Sequence, residues 1–464
     1  MALPNKIGFD EMNTENSTYE DLTKYLQDEF KLKCDETGQY SYPSLSDQTI
    51  IKIIEIINEL KTNVDKQIKI SDSLPLLRQI YLTLRNSVAI HKSVQKKISI
   101  NNEILDLTNF LITALSSNET YINCLIVILQ FLGNLVTQNE QQLQVIIWDK
   151  FNEILLLLFH STPNRIPSIV GMILYNIFLQ NKQLIPDDIK FIKNAIILYE
   201  SESDYGELLL ELLLQTNILI RYYSELEVTQ RFVLLELIKG TMFDDESTLI
   251  TNELMMFIST EFKKKSDCIL KTVTDYVNKI EPQEVVCLLD IIASASCLNK
   301  YSSCLIQDKS LLINCVFLLK SIHSVGKEGN NHFSAIQKLS ELTLNEKIEP
   351  TIKDHPGFGF KAALIRVVGN LCWKNTENQN LVRELEGIQL LLDCCNIDAR
   401  NPFIIQWVIF AVRNLCEGNP DNQKLIAGMT KAKTVDSETL QKMGIVLNDD
   451  SANKIGIIPM DLKK

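Results

Sequence analysis

Apolar residues recur at helical spacing along most of the chain, and five segments share one arrangement around an asparagine. Aligned on Asn86, Asn134, Asn176, Asn370 and Asn414, the residue six positions earlier is Ile80, Ile128, Val170, Leu364 or Val408. The residue two earlier is Leu84, Leu132, Leu174, Val368 or Val412, and three earlier stands Thr83, Phe131, Ile173, Val367 or Ala411. These offsets fall on one face of a helix with a 3.6-residue period. Each copy therefore predicts a long helix ending near its asparagine, and Leu364, Val368, Leu371, Val408, Val412 and Leu415 are expected in the core. In the last two copies the turns Lys374-Asn375-Thr376-Glu377-Asn378-Gln379 and Gly418-Asn419-Pro420-Asp421-Asn422-Gln423 follow, rich in turn and cap residues. A second helix comes next, with Ile98, Ile146, Val382 or Ile426 twelve residues after the asparagine; Asp188 breaks this rule in the third copy.

The spacings are 134 − 86 = 48, 176 − 134 = 42 and 414 − 370 = 44. An all-helical repeat of roughly 40–47 residues is the signature of HEAT or armadillo arrays. The expected fold class is all-α: an armadillo/HEAT-like α-solenoid, a right-handed superhelix of helical repeats that offers long binding surfaces. Residues 1–45 read as a polar N-terminal cap with a short helix near Tyr19–Phe30. Residues 46–345 read as armadillo-like repeats, irregular over 201–320. The interval 370 − 176 = 194 has room for about four or five units. A Pro- and Gly-bearing loop is expected over 346–360, regular repeats over 361–429, and a polar tail over 430–464 with an apolar patch at Met443–Leu447.

Charge and cysteine usage narrow the functional classes. The net charge is −12 and the densest basic run is Phe262-Lys263-Lys264-Lys265, read as a solvated helix end, so nucleic-acid binding is not expected. Eleven cysteines lie scattered in apolar helices without a Cys-x-x-Cys pair, which reads as buried thiols in a reducing compartment. Met1–Asn13 lacks the apolar run of a signal peptide, and Cys124–Val136 is shorter than the roughly 20 apolar residues of a membrane span. The expectation is a soluble intracellular protein without membrane insertion.

No phosphate loop, nucleophile elbow, zinc-protease helix or Cys-His arrangement is evident, and the five histidines share no sequence context. No catalytic, cofactor-binding or metal-binding residues are assigned. The repeated asparagine has two readings. It either satisfies the end of its helix and its neighbour, or it lies on the inner row of the array and bonds a bound peptide; the structural role carries more weight. Trp407 among Val408, Phe410 and Ala411 reads as core. Arg366, Asn370, Arg413, Asn414 and Asn134 are the candidate partner-binding residues. Arg366 and Asn370 share a face at i, i+4, whereas Arg413 is rotated by about 100° from Asn414 and is suited to pairing with an acid. An acidic partner segment would suit Arg366.

The chain resembles the ataxin-10 family of armadillo-repeat proteins. The resemblance is strongest over 355–429. It rests on Leu364-Ile365-Arg366, Gly369-Asn370-Leu371-Cys372, Asn378-Gln379, Gly387-Ile388, Leu390-Leu391-Leu392, Asn401-Pro402-Phe403, Trp407, Arg413-Asn414-Leu415 and Asn422-Gln423. It implies a non-enzymatic cytoplasmic adaptor, extending to perinuclear or centrosomal settings. It also implies links to cytokinesis, neuron survival, neurite outgrowth and the cilium, with other proteins as partners and self-association into a homo-oligomer.

Two other readings stay open. A nuclear import adaptor shares this repeat type but pairs each groove asparagine with a tryptophan four residues earlier. Here those positions hold Leu82, Gln130, Met172, Arg366 and Phe410, and no basic N-terminal arm is present. A regulatory subunit of an enzyme is the other.

Overall fold

The computed structural model describes residues 18–34, 40–65, 70–160, 165–242, 250–273, 280–329, 331–336, 355–429, 445–450 and 454–459. The chain divides into two compact units, Met1–Leu219 and Ile220–Lys464. In the first, α1 (Tyr19–Glu29) is followed by α2 (Asp47–Asp65), α3 (Ile70–Ile90), α4 (Lys92–Ser99), α5 (Asn102–Ser116), α6 (Ile122–Val136), α7 (Gln141–Phe159), α8 (Arg165–Gln180), α9 (Ile189–Glu200) and α10 (Asp204–Leu214). The long helices α3, α6, α8 and α10 pack side by side in that order, and α1 lies against α3. Ile80, Ile128, Val170, Leu84, Leu132, Leu174, Phe131 and Ile173 are all fully buried between them, and so is Thr83.

Close approach is built in with glycine. A Cβ on Gly133 of α6 would collide with the methionine methyl of Met172 on α8. Helix α6 is apolar on nearly every face because it has neighbours on both sides. Glu119–Val136 is thus the one unbroken described stretch long and apolar enough by composition to cross a membrane, yet more than half of it is buried in the array.

In the second unit, after α11 (Ile218–Tyr222), the elements are α12 (Val228–Thr241), α13 (Asn252–Lys265), α14 (Ile280–Ala295), α15 (Asn299–Gln307), α16 (Lys309–Lys327), α17 (Phe360–Leu371), α18 (Thr376–Glu384), α19 (Gly387–Asp393), α20 (Ile404–Cys416) and α21 (Pro420–Ala427). Here α12, α14, α17 and α20 stack in order. Between α8 and α17 the described residues hold three such long helices, α10, α12 and α14, which divide the interval into four units. Helix α14 is a repeat the asparagine search misses, because Ser294 stands at the asparagine position. Its offsets still hold: Leu288, Ile291 and Ile292 are buried, and the Asn370 amide donates to Ser296 Oγ at 2.8 Å and to the Ala293 carbonyl at 3.4 Å.

The repeats are joined by a polar ladder of buried amides. Gln95 donates to the carbonyl of Asn134 at 2.8 Å, Gln144 to that of Asn176 at 3.1 Å, and Gln379 to that of Asn414 at 2.9 Å. Each amide thereby fills carbonyls that the C-terminal turn of the next long helix leaves unpaired. Four residues after the asparagine the chain turns through a left-handed residue, Gln138, Lys374 or Gly418. Asn375 and Asn419 then cap α18 and α21, while Asn378 and Asn422 reach back at 2.8 Å to the carbonyls of Leu371 and Leu415.

Several expectations change. Ile146 is 39 % exposed and Ile147 is buried instead, because α7 is rotated by one residue relative to the aligned copies. Val412 is partly exposed, whereas Leu364, Val368, Leu371, Val408 and Leu415 are buried. The tail contains an antiparallel strand pair, Ile445–Asp450 with Lys454–Pro459, pairing Ile445 with Pro459 and Asp450 with Lys454. Before α2, Lys33–Cys34 pairs with Tyr40–Ser41 as a second short antiparallel ladder. Residues 1–17 of the proposed cap, 346–354 of the proposed loop and Met443 lie outside the described residues. The run Lys263-Lys264-Lys265 is not merely solvated: Lys263 pairs with Asp308 at 2.7 Å, and Lys265 with Glu284 at 2.7 Å and Glu261 at 3.0 Å.

Candidate partner-binding face

Packing decides which positions of each long helix remain open. With the flanks taken by neighbouring helices, the row four residues before the asparagine stays at the surface. Leu82, Gln130 and Met172 in the first unit, and Arg366 and Phe410 in the second, are each partly exposed. This is the row that holds tryptophan in import adaptors. In the first unit Gln130 accepts a 2.6 Å bond from Arg85 of the preceding long helix. In the second, the Arg366 guanidinium of α17 lies 5.2 Å over the ring of Trp407 on α20, and Phe410 meets the same ring edge-on at 5.9 Å. Arg366 also reaches Cys297 Sγ at 3.6 Å. A cation over an indole beside a second aromatic ring makes a surface for an apolar side chain carrying a negative group. Trp407, read from sequence as core, is partly exposed and forms the floor of this surface.

The asparagines sit differently. Asn370 and Asn414 are buried, and Asn414 donates to the Gly369 carbonyl of the preceding long helix at 2.9 Å. Asn134 does the same to the Arg85 carbonyl at 3.0 Å and stays partly exposed. Their amides are taken up inside the protein, by main-chain carbonyls and, for Asn370, also by Ser296 Oγ. Arg413 is exposed and forms no ion pair with an acid among the described residues. It occupies the position of Gly133 and Gly369, where a Cβ on Gly369 would sit 3.0 Å from Ala411 Cα. Arg366 and Trp407 therefore come together, whereas Arg413 points away from them. Sequence reasoning missed Trp407 as a contact, although aligning the two helices on their asparagines places it near Arg366.

Two clusters have chemistry that the sequence order hides. His332 and His355 stack at 4.2 Å with planes 13° apart. His323 Nδ1 lies 3.5 Å from Cys394 Sγ, with Asp393 3.7 Å from Nε2. Burial pushes the Cys394 thiol up to about 11, and burial with Lys327 and Lys361 nearby pushes His323 below its ordinary value. The pair is a neutral thiol and a neutral imidazole, without the thiolate that nucleophilic catalysis requires.

The family model described as the spinocerebellar ataxia type 10 protein domain matches residues 360–458, from α17 through the C-terminal strand pair. Ataxin-10 of Macaca fascicularis is 30 % identical over 392 residues, covering 81 % of this chain and 80 % of that one. Ataxin-10 of Xenopus tropicalis is 32 % identical over 333 residues, covering 68 % and 66 %. An ataxin-10 homolog of Dictyostelium discoideum is 45 % identical over 87 residues, or 19 % and 14 % of the two chains. Similarity that runs through both units, with the domain match lying on the repeats that carry Arg366 and Trp407, places the chain in the ataxin-10 family.

Proposed function

We propose that this chain is a non-catalytic scaffold that holds partner proteins on the exposed row of its C-terminal long helices. The reading rests on the Arg366–Trp407 pair, a desolvating aromatic floor under a guanidinium on an otherwise tightly packed face. Arginine and tryptophan are the side chains that most often dominate binding energy at interfaces. The partner segment would bring an acidic residue next to an apolar one. Family membership supports the wider setting: a cytoplasmic, perinuclear or centrosomal protein, able to self-associate, with roles in cytokinesis, neuron survival and neurite outgrowth. An import-adaptor role is disfavoured because that row lacks the tryptophans that would hold lysine stems.

The test is Arg366→Ala and Trp407→Ala in the full chain, each checked by circular dichroism and then compared with the wild type in quantitative affinity purification. Loss of the same partners from both variants is expected. Full retention of every partner by both folded variants would return this pair to a purely structural role. Binding of lysine-rich peptides in preference to acidic ones would favour the import-adaptor reading.

A further inference from the structure

The second unit contains a cavity of about 170 Å³, walled by α16, the start of α17, the end of α19 and the first residue of α20, with His323, Lys327, Phe333, Lys361, Asp393 and Asp398 among its lining. Its most unusual member is Lys361, the second residue of α17, which is only 6 % exposed. A cation in the first turn of a helix opposes the helix dipole, and burying it adds a desolvation cost. The root of the side chain is fixed, since the Lys361 and Ala362 amides donate to Asn401 Oδ1 at 3.0 and 3.3 Å.

The ammonium itself has little to hold. Its charge contact is Asp398 Oδ2 at 3.8 Å, beyond hydrogen-bond distance. Asp398 is already satisfied: Oδ1 accepts from the Ile336 and Arg400 amides at 3.2 and 3.0 Å, and Oδ2 from Asn401 Nδ2 at 2.8 Å. Among the described residues the Lys361 ammonium makes no hydrogen bond, so its N–H groups are left for whatever occupies the cavity. His323 adds a polar ring: its Nδ1 lies 3.5 Å from Cys394 Sγ, and its Nε2 faces Asp393 at 3.7 Å, beyond hydrogen-bond distance. Lys327 stands at the rim, 3.1 Å from Asp393.

We propose that this cavity is a binding site for a small oxyanion, a carboxylate or a phosphate, held chiefly by the Lys361 ammonium. The wall carries two lysines and two aspartates, but Lys327 pairs with Asp393 and Asp398 already accepts three hydrogen bonds, so a charge-assisted bond to an anion supplies the partner that Lys361 lacks. The volume is below the roughly 300–1,000 Å³ of pockets for drug-sized ligands, so the occupant is a single ionic group. The site is separate from the Arg366–Trp407 surface and stands or falls independently of it.

The test uses the full chain and three probes at matched ionic strength against chloride: inorganic phosphate, acetate and a blocked glutamate amide. The readouts are the melting temperature and the His323 ring resonances. A saturable rise in melting temperature with a saturable shift of His323 is expected for at least one probe. Response to phosphate alone assigns a phosphate ligand, and response to the glutamate amide or to acetate assigns a carboxylate. Lys361→Met should weaken the midpoint by about tenfold or more, the loss of one charge-assisted contact. If that variant does not fold, the His323 titration of the wild type decides by itself. No saturable response to any probe, or a response unchanged in folded Lys361→Met, overturns the proposal.

Discussion

The side-chain amide of Gln379 donates to the main-chain carbonyl of Asn414 at 2.9 Å, so a short helix of one repeat closes the long helix of the next. The same amide reaches the Cys372 and Glu417 carbonyls at 3.2 Å, and its oxygen accepts from Asn419 at 3.1 Å. Gln95 repeats the relationship in the first unit, with bonds to the Asn134, Leu135 and Thr137 carbonyls. Apolar packing of long helices is tolerant of sliding, but a fully buried amide with three acceptors fixes the axial register of neighbouring repeats.

Gln379→Met should therefore destabilise the chain by about 2–4 kcal/mol, since it strands two or three buried polar groups at about 1–3 kcal/mol each. Gln423, the next glutamine in the same turn pattern, is exposed and among the described residues bonds only the Cys416 carbonyl. Gln423→Met should fall within about 0.5 kcal/mol of the wild type. Urea unfolding of both variants checks this; equal losses would mean that the buried ladder does not set the register.

The hydrophobic offsets make a second, graded prediction. Leu415 is fully buried and Leu415→Ala should cost about 2–5 kcal/mol. Val412 keeps part of its surface in water, so Val412→Ala should cost clearly less than Leu415→Ala. Reversal of that order in denaturant midpoints would show that the core face of α20 is placed wrongly.

Legibility followed locality. Offsets around Asn86, Asn134, Asn176, Asn370 and Asn414 lie within one helix, so a single sequence reveals the period and most of the core. Helix α14 escaped because Ser294 replaces the marker while the apolar face persists; a search on Leu288, Ile291 and Ile292 would have found it. Ile146 was misplaced because a one-residue rotation of α7 is invisible without its packing partners. The Arg366–Trp407 surface and the Lys361 cavity depend on contacts between helices. His323 and Cys394 are 71 residues apart, and nothing in either segment names the other. The buried asparagine–glutamine ladder was visible only as turn composition, because its acceptors are main-chain carbonyls that carry no sequence signal.

Glycine positions separate two physical roles. A Cβ on Gly206 of α10 would sit 2.3 Å from the Tyr199 amide nitrogen and 2.5 Å from its Cα, so the backbone of α9 would have to move. Gly206→Ala should destabilise by about 1–3 kcal/mol. Gly240 in α12 is exposed, helical and has nothing within 4 Å of an added Cβ. Gly240→Ala should stabilise by about 0.4–1 kcal/mol, through helix propensity and a less flexible unfolded chain. Thermal unfolding of the pair is the check, and a shift of the same sign in both would contradict the packing of α9 on α10.

The last prediction concerns acid. His355 is 5 % exposed; its Nδ1 accepts from the Gly357 amide at 2.9 Å, which leaves the proton on Nε2 facing the Thr272 carbonyl at 3.2 Å. Burial, with His332 and Arg400 close by, pushes its pKa from 6.5 down to about 4. Protonation would cost the Gly357 bond and set a cation against the stacked His332 ring. The folded value lies below the unfolded one, so between about pH 4 and 6.5 the unfolded chain holds a proton that the folded chain does not. Stability from this group is complete above about pH 6.5 and falls as the pH drops toward 4, by at most about 1.4 kcal/mol per pH unit for one proton. His323, also held low by burial, adds in the same direction. His355→Asn keeps a Gly357 acceptor but cannot titrate, and should flatten the slope of unfolding free energy between neutral pH and pH 5. Carboxylates titrate equally in both proteins, so the difference between them isolates His355. Parallel slopes for variant and wild type would mean that His355 keeps an ordinary proton affinity in the folded chain.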